Sequence, residues 1–235
     1  DTHLFVGIAT VADSLAAIQQ IVYDKKQFTL PDFMAIVRNN FDGHEQLRQE
    51  ILHNCPHYGN NDDRADRWAV TVADLLFDVV AEVNGVPEYL IVPALYSLHL
   101  HFQLGDDFPA TPDGSKKGDF LSKNQSPTNG ADRSGITVLL QSAAKLPNWR
   151  TLEGGLNVRL SGKVEPEHFI SIIETFFDMG GQYLGITVID KETLLDTREY
   201  PENYEDLCVR ITGFSAYFNT LSPEGKQDII DRTDY

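Results

Sequence analysis

Cysteine is scarce in this sequence. Cys55 and Cys208 are the two present among 235 residues, and neither belongs to a Cys-x-x-Cys pair. Two distant thiols make no sequence-level case for a disulfide framework or a structural zinc site, and they fit a reducing cytoplasm. Positive charge is also short: 19 Lys and Arg stand against 35 Asp and Glu, a formal net charge of −16, with the acids scattered along the chain. Nucleic acid and anionic membrane are poor partners for such a surface. No apolar run approaches the roughly 18 residues of a membrane helix, and the opening Asp1-Thr2-His3-Leu4 lacks the basic start of a signal peptide. The expectation is a soluble, cytoplasmic protein. Repeats with a period of about 20 to 50 residues are missing, which excludes a solenoid or propeller.

What is present suffices for a core. Hydrophobic residues make up 42% of the chain and aromatics 10%, ordinary values for a folded protein. The chain opens at Asp1 and runs almost at once into a helical pattern, which suggests a processed or subdivided piece of a larger assembly. Apolar residues recur at helical spacing from Val11 to Val22, and Pro31 and Asp32 open a second helix through Val37. Leu47, Ile51 and Leu52 mark a third. A helix from about Arg64 to Asn84 carries Trp68, Val72, Leu75, Leu76 and Val79 as its expected buried stripe. Tyr89–Val92 and Leu98–Phe102 suit strands.

Residues 105–135, rich in Gly, Pro and Asp, read as a long loop, and a loop of that length usually belongs to a functional site. Helices are then expected over Ile136–Leu146, Pro166–Met179, Lys191–Tyr200 and Pro223–Arg232, and strands over Leu156–Leu160, Tyr183–Asp190 and Leu207–Ile211. This pattern establishes a mixed α/β or α+β protein.

Two small constellations carry little chemistry on their own. His99 and His101, two apart in the expected strand, would share one face, yet no third ligand lies at readable spacing, so no metal site is assigned. Asn60-Asn61-Asp62-Asp63 lacks the alternating acids, central Gly and terminal Glu of a calcium loop and reads as a helix cap. Lys116-Lys117 follows Gly114 at the wrong spacing for a phosphate loop.

The segment Val209-Arg210-Ile211-Thr212-Gly213-Phe214-Ser215, followed by Ile229-Ile230-Asp231-Arg232-Thr233, resembles the radical-site signature of the glycyl radical enzyme family, the pyruvate formate-lyase-like proteins. There an Arg precedes the radical glycine by three residues and an aromatic follows it. Gly180-Gly181-Gln182, Ile189–Asp196 and Pro201-Glu202-Asn203-Tyr204 fit the same C-terminal domain in order and spacing. Upstream, Ala110–Gly118, Ser126-Pro127-Thr128-Asn129-Gly130 and Ala12–Ile18 extend the resemblance over nearly the whole chain. Ser115 and Phe214 depart from the commoner Arg and Tyr.

The resemblance implies an α/β fold, part of a ten-stranded α/β barrel over residues 1–150 with a glycine radical domain over 151–235. It implies that Gly213 stores an unpaired electron. A Cα radical is stabilised when the amide nitrogen donates and the carbonyl withdraws, in a planar centre without a crowding Cβ. A lone glycine at a strand-to-loop bend would otherwise read as a positive-φ turn. Arg210, Phe214 and Ser215 are the expected supports of the glycyl loop, and Tyr96, His99 and His101 the candidate pocket residues.

No bound cofactor is implied. The radical would be installed by an activating enzyme that uses S-adenosylmethionine and an iron-sulfur cluster, and passed to a cysteine. The family's Cys-x-Glu motif is missing here: Pro56-His57 follows Cys55, Val209-Arg210 follows Cys208, and each thiol reads as a small buried residue. A larger partner chain carrying the first part of the barrel and the cysteine is therefore expected, with lyase or dehydratase chemistry on a small-molecule substrate. The other readings are an accessory or repair subunit and a formate acetyltransferase-type enzyme.

Overall fold

The computed structural model describes residues 1–84, 90–162 and 164–235. Strands β1 (Thr2–Leu4), β2 (Val92–Leu95) and β3 (Glu153–Gly154) pair in parallel in that order, and β4 (Leu156–Leu160) pairs in parallel with β5 (Leu184–Val188). Parallel neighbours need a crossover, and helices supply it. Helices α1 (Ile8–Ile18), α2 (Leu30–Arg38), α3 (Glu45–Asn54) and α4 (Asp63–Val83) lie between β1 and β2, while α7 (Pro166–Asp178) links β4 to β5. All five residues of β4 are buried, the signature of a strand covered on both faces. Strands β6 (Cys208–Arg210) and β7 (Ser215–Tyr217) form an antiparallel hairpin.

Most expected helices are present within a turn of their expected ends, including α6 (Ile136–Ala144), α8 (Lys191–Glu199) and α9 (Pro223–Ile230). The first runs into a π-helical segment, Gln19–Asp24, as it reaches Val22. Asp62 caps α4 by accepting from the Arg64 amide at 3.0 Å, in line with its reading as a cap.

Three expectations need correction. The alternating Leu98–Phe102 is not a strand. Leu98 takes a left-handed φ of 50°, the chain turns, and α5 spans Leu100–Asp107 with His99 at its N-cap. The helix is held by its packing. A Cβ on Gly105 would lie 2.7 Å from the Asp119 carbonyl oxygen, so α5 presses its glycine face directly onto the long loop. Tyr89, of the other expected strand, lies outside the described residues, and the strand there is β2.

The stripe on α4 is the second. Trp68, Val72 and Leu76 of that stripe are half-buried against the core, but Leu75 is 62% and Val79 52% exposed, and the fully buried face is Ala65, Asp66, Ala69, Ala73, Phe77 and Val80. Alanines win because α4 lies close against α1, whose Ala9 and Ala12 pack in the same cluster. The larger aliphatics would hold the helices apart. Thirdly, Cys55 is buried as expected but Cys208 is exposed, since the alternation of β6 turns Val209 inward and Cys208 outward.

Residues 108–135 contain no regular element, yet their middle is deeply buried: Ser122, Lys123, Asn124, Gln125 and Ser126 are each at most 3% exposed. Side-chain bonds replace the missing ladder. Ser122 and Thr10 exchange backbone-to-hydroxyl bonds at 3.0 and 2.9 Å, and Gln125 donates to Asn148 at 2.8 Å. Arg159, buried within β4, donates to the carbonyls of Ile229 (2.9 Å) and Arg232 (2.6 Å) and pairs with Asp234 (2.8 Å). A guanidinium at those orphan carbonyls fixes the C-terminal end of α9.

Candidate functional site

The hairpin β6–β7 turns through Ile211–Phe214, with the Ile211 amide donating to the Phe214 carbonyl at 2.9 Å. Gly213 is half-buried at its tip and does not have a positive φ, so the turn alone does not call for glycine. Close approach does. A Cβ there would sit 2.9 Å from Cε2 and Cζ of Tyr96 and closer still to its hydroxyl.

Arg210 serves this tip. Its Nη2 donates to the Gly213 carbonyl at 2.8 Å, its Nη1 to Ser215 Oγ at 3.3 Å and its Nε to the Tyr183 hydroxyl at 3.0 Å. The guanidinium also stacks on the Tyr183 ring, 5.6 Å from its centre. Its backbone amide donates to Thr187 Oγ1 at 3.3 Å, tying the hairpin to β5. Phe214 is 41% exposed and Ser215 lies on the surface beside it.

A second set of residues holds the hairpin from below. Arg232 donates through Nη1 to the Arg210 carbonyl at 2.7 Å and through Nη2 to the Ile211 carbonyl. Asp228 pairs with Arg232 at 3.1 Å and with Lys123 at 2.6 Å, and all three side chains are buried. Burial opposes the Asp228 charge, but Lys123 and Arg232 outweigh it and hold the carboxyl well below its usual range. Burial drives the Lys123 ammonium down to about 8 against the pull of Asp228.

The unfolded chain returns Lys123 to its ordinary value near 10.5. Between those two values the unfolded state holds a proton that the folded state has released, so the contribution of this group to stability rises with pH. We expect the wild type to gain about 1 kcal/mol relative to Lys123→Met between about pH 7 and pH 9. Urea denaturation midpoints at the two pH values check it, and a relative loss on the alkaline side would contradict it.

Gly213 and Tyr96 open onto a cleft of about 390 Å³, lined also by Asn124, Leu152, Gln182 and Tyr183. The structure thus brings together Gly213, Arg210, Ser215 and Tyr96. Neither His99 nor His101 is among the described residues lining that cleft. His99 is exposed at the start of α5. His101 is fully buried, with Nδ1 3.2 Å from Ser97 Oγ and Nε2 3.5 Å from Asp228, and burial lowers its pKa despite that carboxylate. The shared face expected of them disappears because the segment is helical.

Among the described residues no group of three or more His, Cys, Asp or Glu could hold a metal ion. Cys55 sits among α1–α3 with its thiol pushed up to about 11 by burial. Sequence reasoning missed Asn124, Gln182, Tyr183 and the Lys123–Asp228–Arg232 chain as site residues. Gln182 and Arg232 stood inside motif blocks, but nothing in their spacing says what their side chains touch.

The chain matches two family models, pyruvate formate lyase-like over residues 1–105 and glycine radical over residues 121–219. It is 33% identical over 248 residues to the probable dehydratase YbiW of Escherichia coli K12, covering 99% of this chain and 30% of that one. It is 36% identical to an isethionate sulfite-lyase of Nitratidesulfovibrio vulgaris, covering 97% and 28%. The glycerol-bound form of the B12-independent glycerol dehydratase from Clostridium butyricum superposes on all of it with a TM-score of 0.92 at 31% identity, over 30% of that structure. The chain therefore spans about 30% of the length of the relatives it matches, and its mixed parallel sheets and helices form part of their α/β barrel.

Proposed function

This chain belongs to the glycyl radical enzyme family, and on that premise we propose that it carries the radical-storing part of a lyase or dehydratase, with Gly213 as the storage residue. The observation that carries this reading is the packing of Gly213 against Tyr96 beside an open cleft, with its carbonyl bonded to a guanidinium. A charge-assisted bond strengthens the electron withdrawal of that carbonyl, which lowers the energy of a Cα radical on the same residue.

In the proposed cycle an activating enzyme using S-adenosylmethionine and an iron-sulfur cluster removes a hydrogen atom from Gly213 Cα. The glycyl radical then takes the hydrogen of a cysteine thiol on the remainder of the barrel, restoring glycine and leaving a thiyl radical. The thiyl takes hydrogen from a substrate carbon, the substrate radical loses its neighbouring group, and the product radical recovers hydrogen from the thiol. Cys55, buried and held protonated, and Cys208, on the outer face of β6, are not among the described residues lining the cleft, so the thiol is assigned to a larger partner chain or preceding segment. Tyr96 and Asn124, from the first 150 residues, share the cleft with Gly213, which supports a catalytic part over an accessory or repair piece.

Anaerobic activation of the assembled protein should give a doublet in electron paramagnetic resonance, and brief exposure to air should cleave the chain at Gly213. An unchanged spectrum and an uncut chain, under conditions that activate a known family member, would overturn the proposal.

A further inference from the structure

Tyr183 stands just ahead of β5, and the Leu156 amide donates to its carbonyl at 3.1 Å, so the β4–β5 ladder already runs through it. By the alternation of the strand it shares a face with Gly185 and Thr187. That face is given over to Arg210. Thr187 accepts the Arg210 backbone amide at 3.3 Å, a Cβ on Gly185 would lie 3.5 Å from Arg210 Cγ, and the Tyr183 hydroxyl accepts from Nε at 3.0 Å and also from Nη2. The ring itself rests on bare backbone, since a Cβ on Gly155 would lie 2.7 Å from Tyr183 Cγ.

A guanidinium is planar and its five N–H bonds leave in fixed directions. With Nε and one hydrogen of Nη2 turned onto the phenol oxygen, the second Nη2 hydrogen is left to the Gly213 carbonyl, 2.8 Å away. Nη1 reaches Ser215 Oγ at 3.3 Å. Both anchors are neutral. They fix the direction of the cation without cancelling the charge it brings to the carbonyl, as a carboxylate in the same place would. Arg210 is a long, half-buried side chain, and holding it in one rotamer has an entropy cost that these anchors must offset.

We infer that Tyr183 is a positioning residue for Gly213: its phenol oxygen locks Arg210 onto the Gly213 carbonyl, and through that bond it sets the spin distribution and the persistence of a radical there. The chemical consequence rests on the radical reading of Gly213. The phenol has no part in hydrogen-atom transfer; its action passes through the guanidinium.

Tyr183→Phe keeps the ring against Gly155 and removes only the oxygen. In crystals of the unactivated assembly, this chain together with the remainder of the barrel, Arg210 Nη2 should leave the Gly213 carbonyl, beyond about 3.5 Å. In the activated assembly, high-field electron paramagnetic resonance should show the largest g value of the doublet moving upward, because a charged donor lowers the energy of the lone pairs on the carbonyl oxygen and its loss raises it. Quenching by a small added thiol without air, in which Gly213 Cα takes the thiol hydrogen and leaves a sulfur radical, should run about tenfold faster, the equivalent of roughly one hydrogen bond. Easier access alone would speed the quench and leave the g value in place.

Arg210→Met should raise the g value in the same way, and Tyr183→Phe added to it should change nothing further. A guanidinium that stays on the carbonyl in Tyr183→Phe, a doublet with the wild-type g value, or additive effects in the double variant would each overturn the inference. A wild type without a doublet, whose Tyr183→Phe crystals show the guanidinium released, defeats the radical reading of Gly213 and leaves Tyr183 standing as the anchor of Arg210.

Discussion

Gly213→Ala is expected to abolish the radical signal and the oxygen-dependent cut, and to destabilise the protein as well. The two losses have different causes. An added methyl meets the Tyr96 ring at 2.9 Å, and forcing a methyl into a packed site costs about 1–3 kcal/mol. The chemical loss arises because a Cβ crowds the planar centre that the radical requires. Adding Tyr96→Ala separates them. The double variant should recover much of the melting temperature, since the ring that the methyl strikes is gone, while the doublet stays absent. Return of the doublet in the double variant would mean that Gly213 is glycine for packing alone.

Asp228→Ala is expected to cost about 3–5 kcal/mol of stability. Its carboxylate lies between Lys123 and Arg232 where none of the three reaches water freely, and removing it strands two buried cations. Arg232 is the residue that grips the carbonyls of Arg210 and Ile211, so the damage reaches the glycyl hairpin. Melting curves should show the loss, and in the activated enzyme the doublet should decay faster in air than in wild type. Lys123→Met combined with Asp228→Leu removes one cation together with the anion and should restore part of the stability. A melting temperature unchanged in Asp228→Ala would show that the ion cluster does not support the fold.

The helices were legible because their apolar periodicity and their caps are local properties. Leu156–Leu160 was read at its full length for a related reason, a short apolar run between breakers. Leu98–Phe102 misled because alternation over five residues fits a strand and one turn of helix alike; what decides is the contact of Gly105 with the loop at Asp119, which spacing does not reveal. The α4 stripe misled at Leu75 and Val79 because burial follows the partner surface, and Ala69, Ala73 and Phe77 are the residues that pack with the α1 alanines.

At the site, Gly213 and Arg210 stood out through motif resemblance, with Arg210 expected as a support of the loop, while its bond to the Gly213 carbonyl came from the structure. Asn124 did not stand out. Its surroundings depend on Ser97, 27 residues earlier, and on a cleft wall assembled from five separate parts of the chain.

The ion cluster under the hairpin also bears on the order in which the chain acquires its structure. Lys123 and Asp228 are 105 residues apart, and Arg159 reaches across about 70 to the end of α9. Contacts of such span form only after the intervening segments have closed, because loop entropy must be overcome before any bond compensates for it. The hairpin that carries Gly213 pairs strands close together in the chain and can form locally, whereas the contacts that seat it on the ion cluster span long stretches and carry the larger closure cost. What long-range closure must secure is thus the seating of the hairpin on Arg232 and its ion partners, and not the hairpin itself.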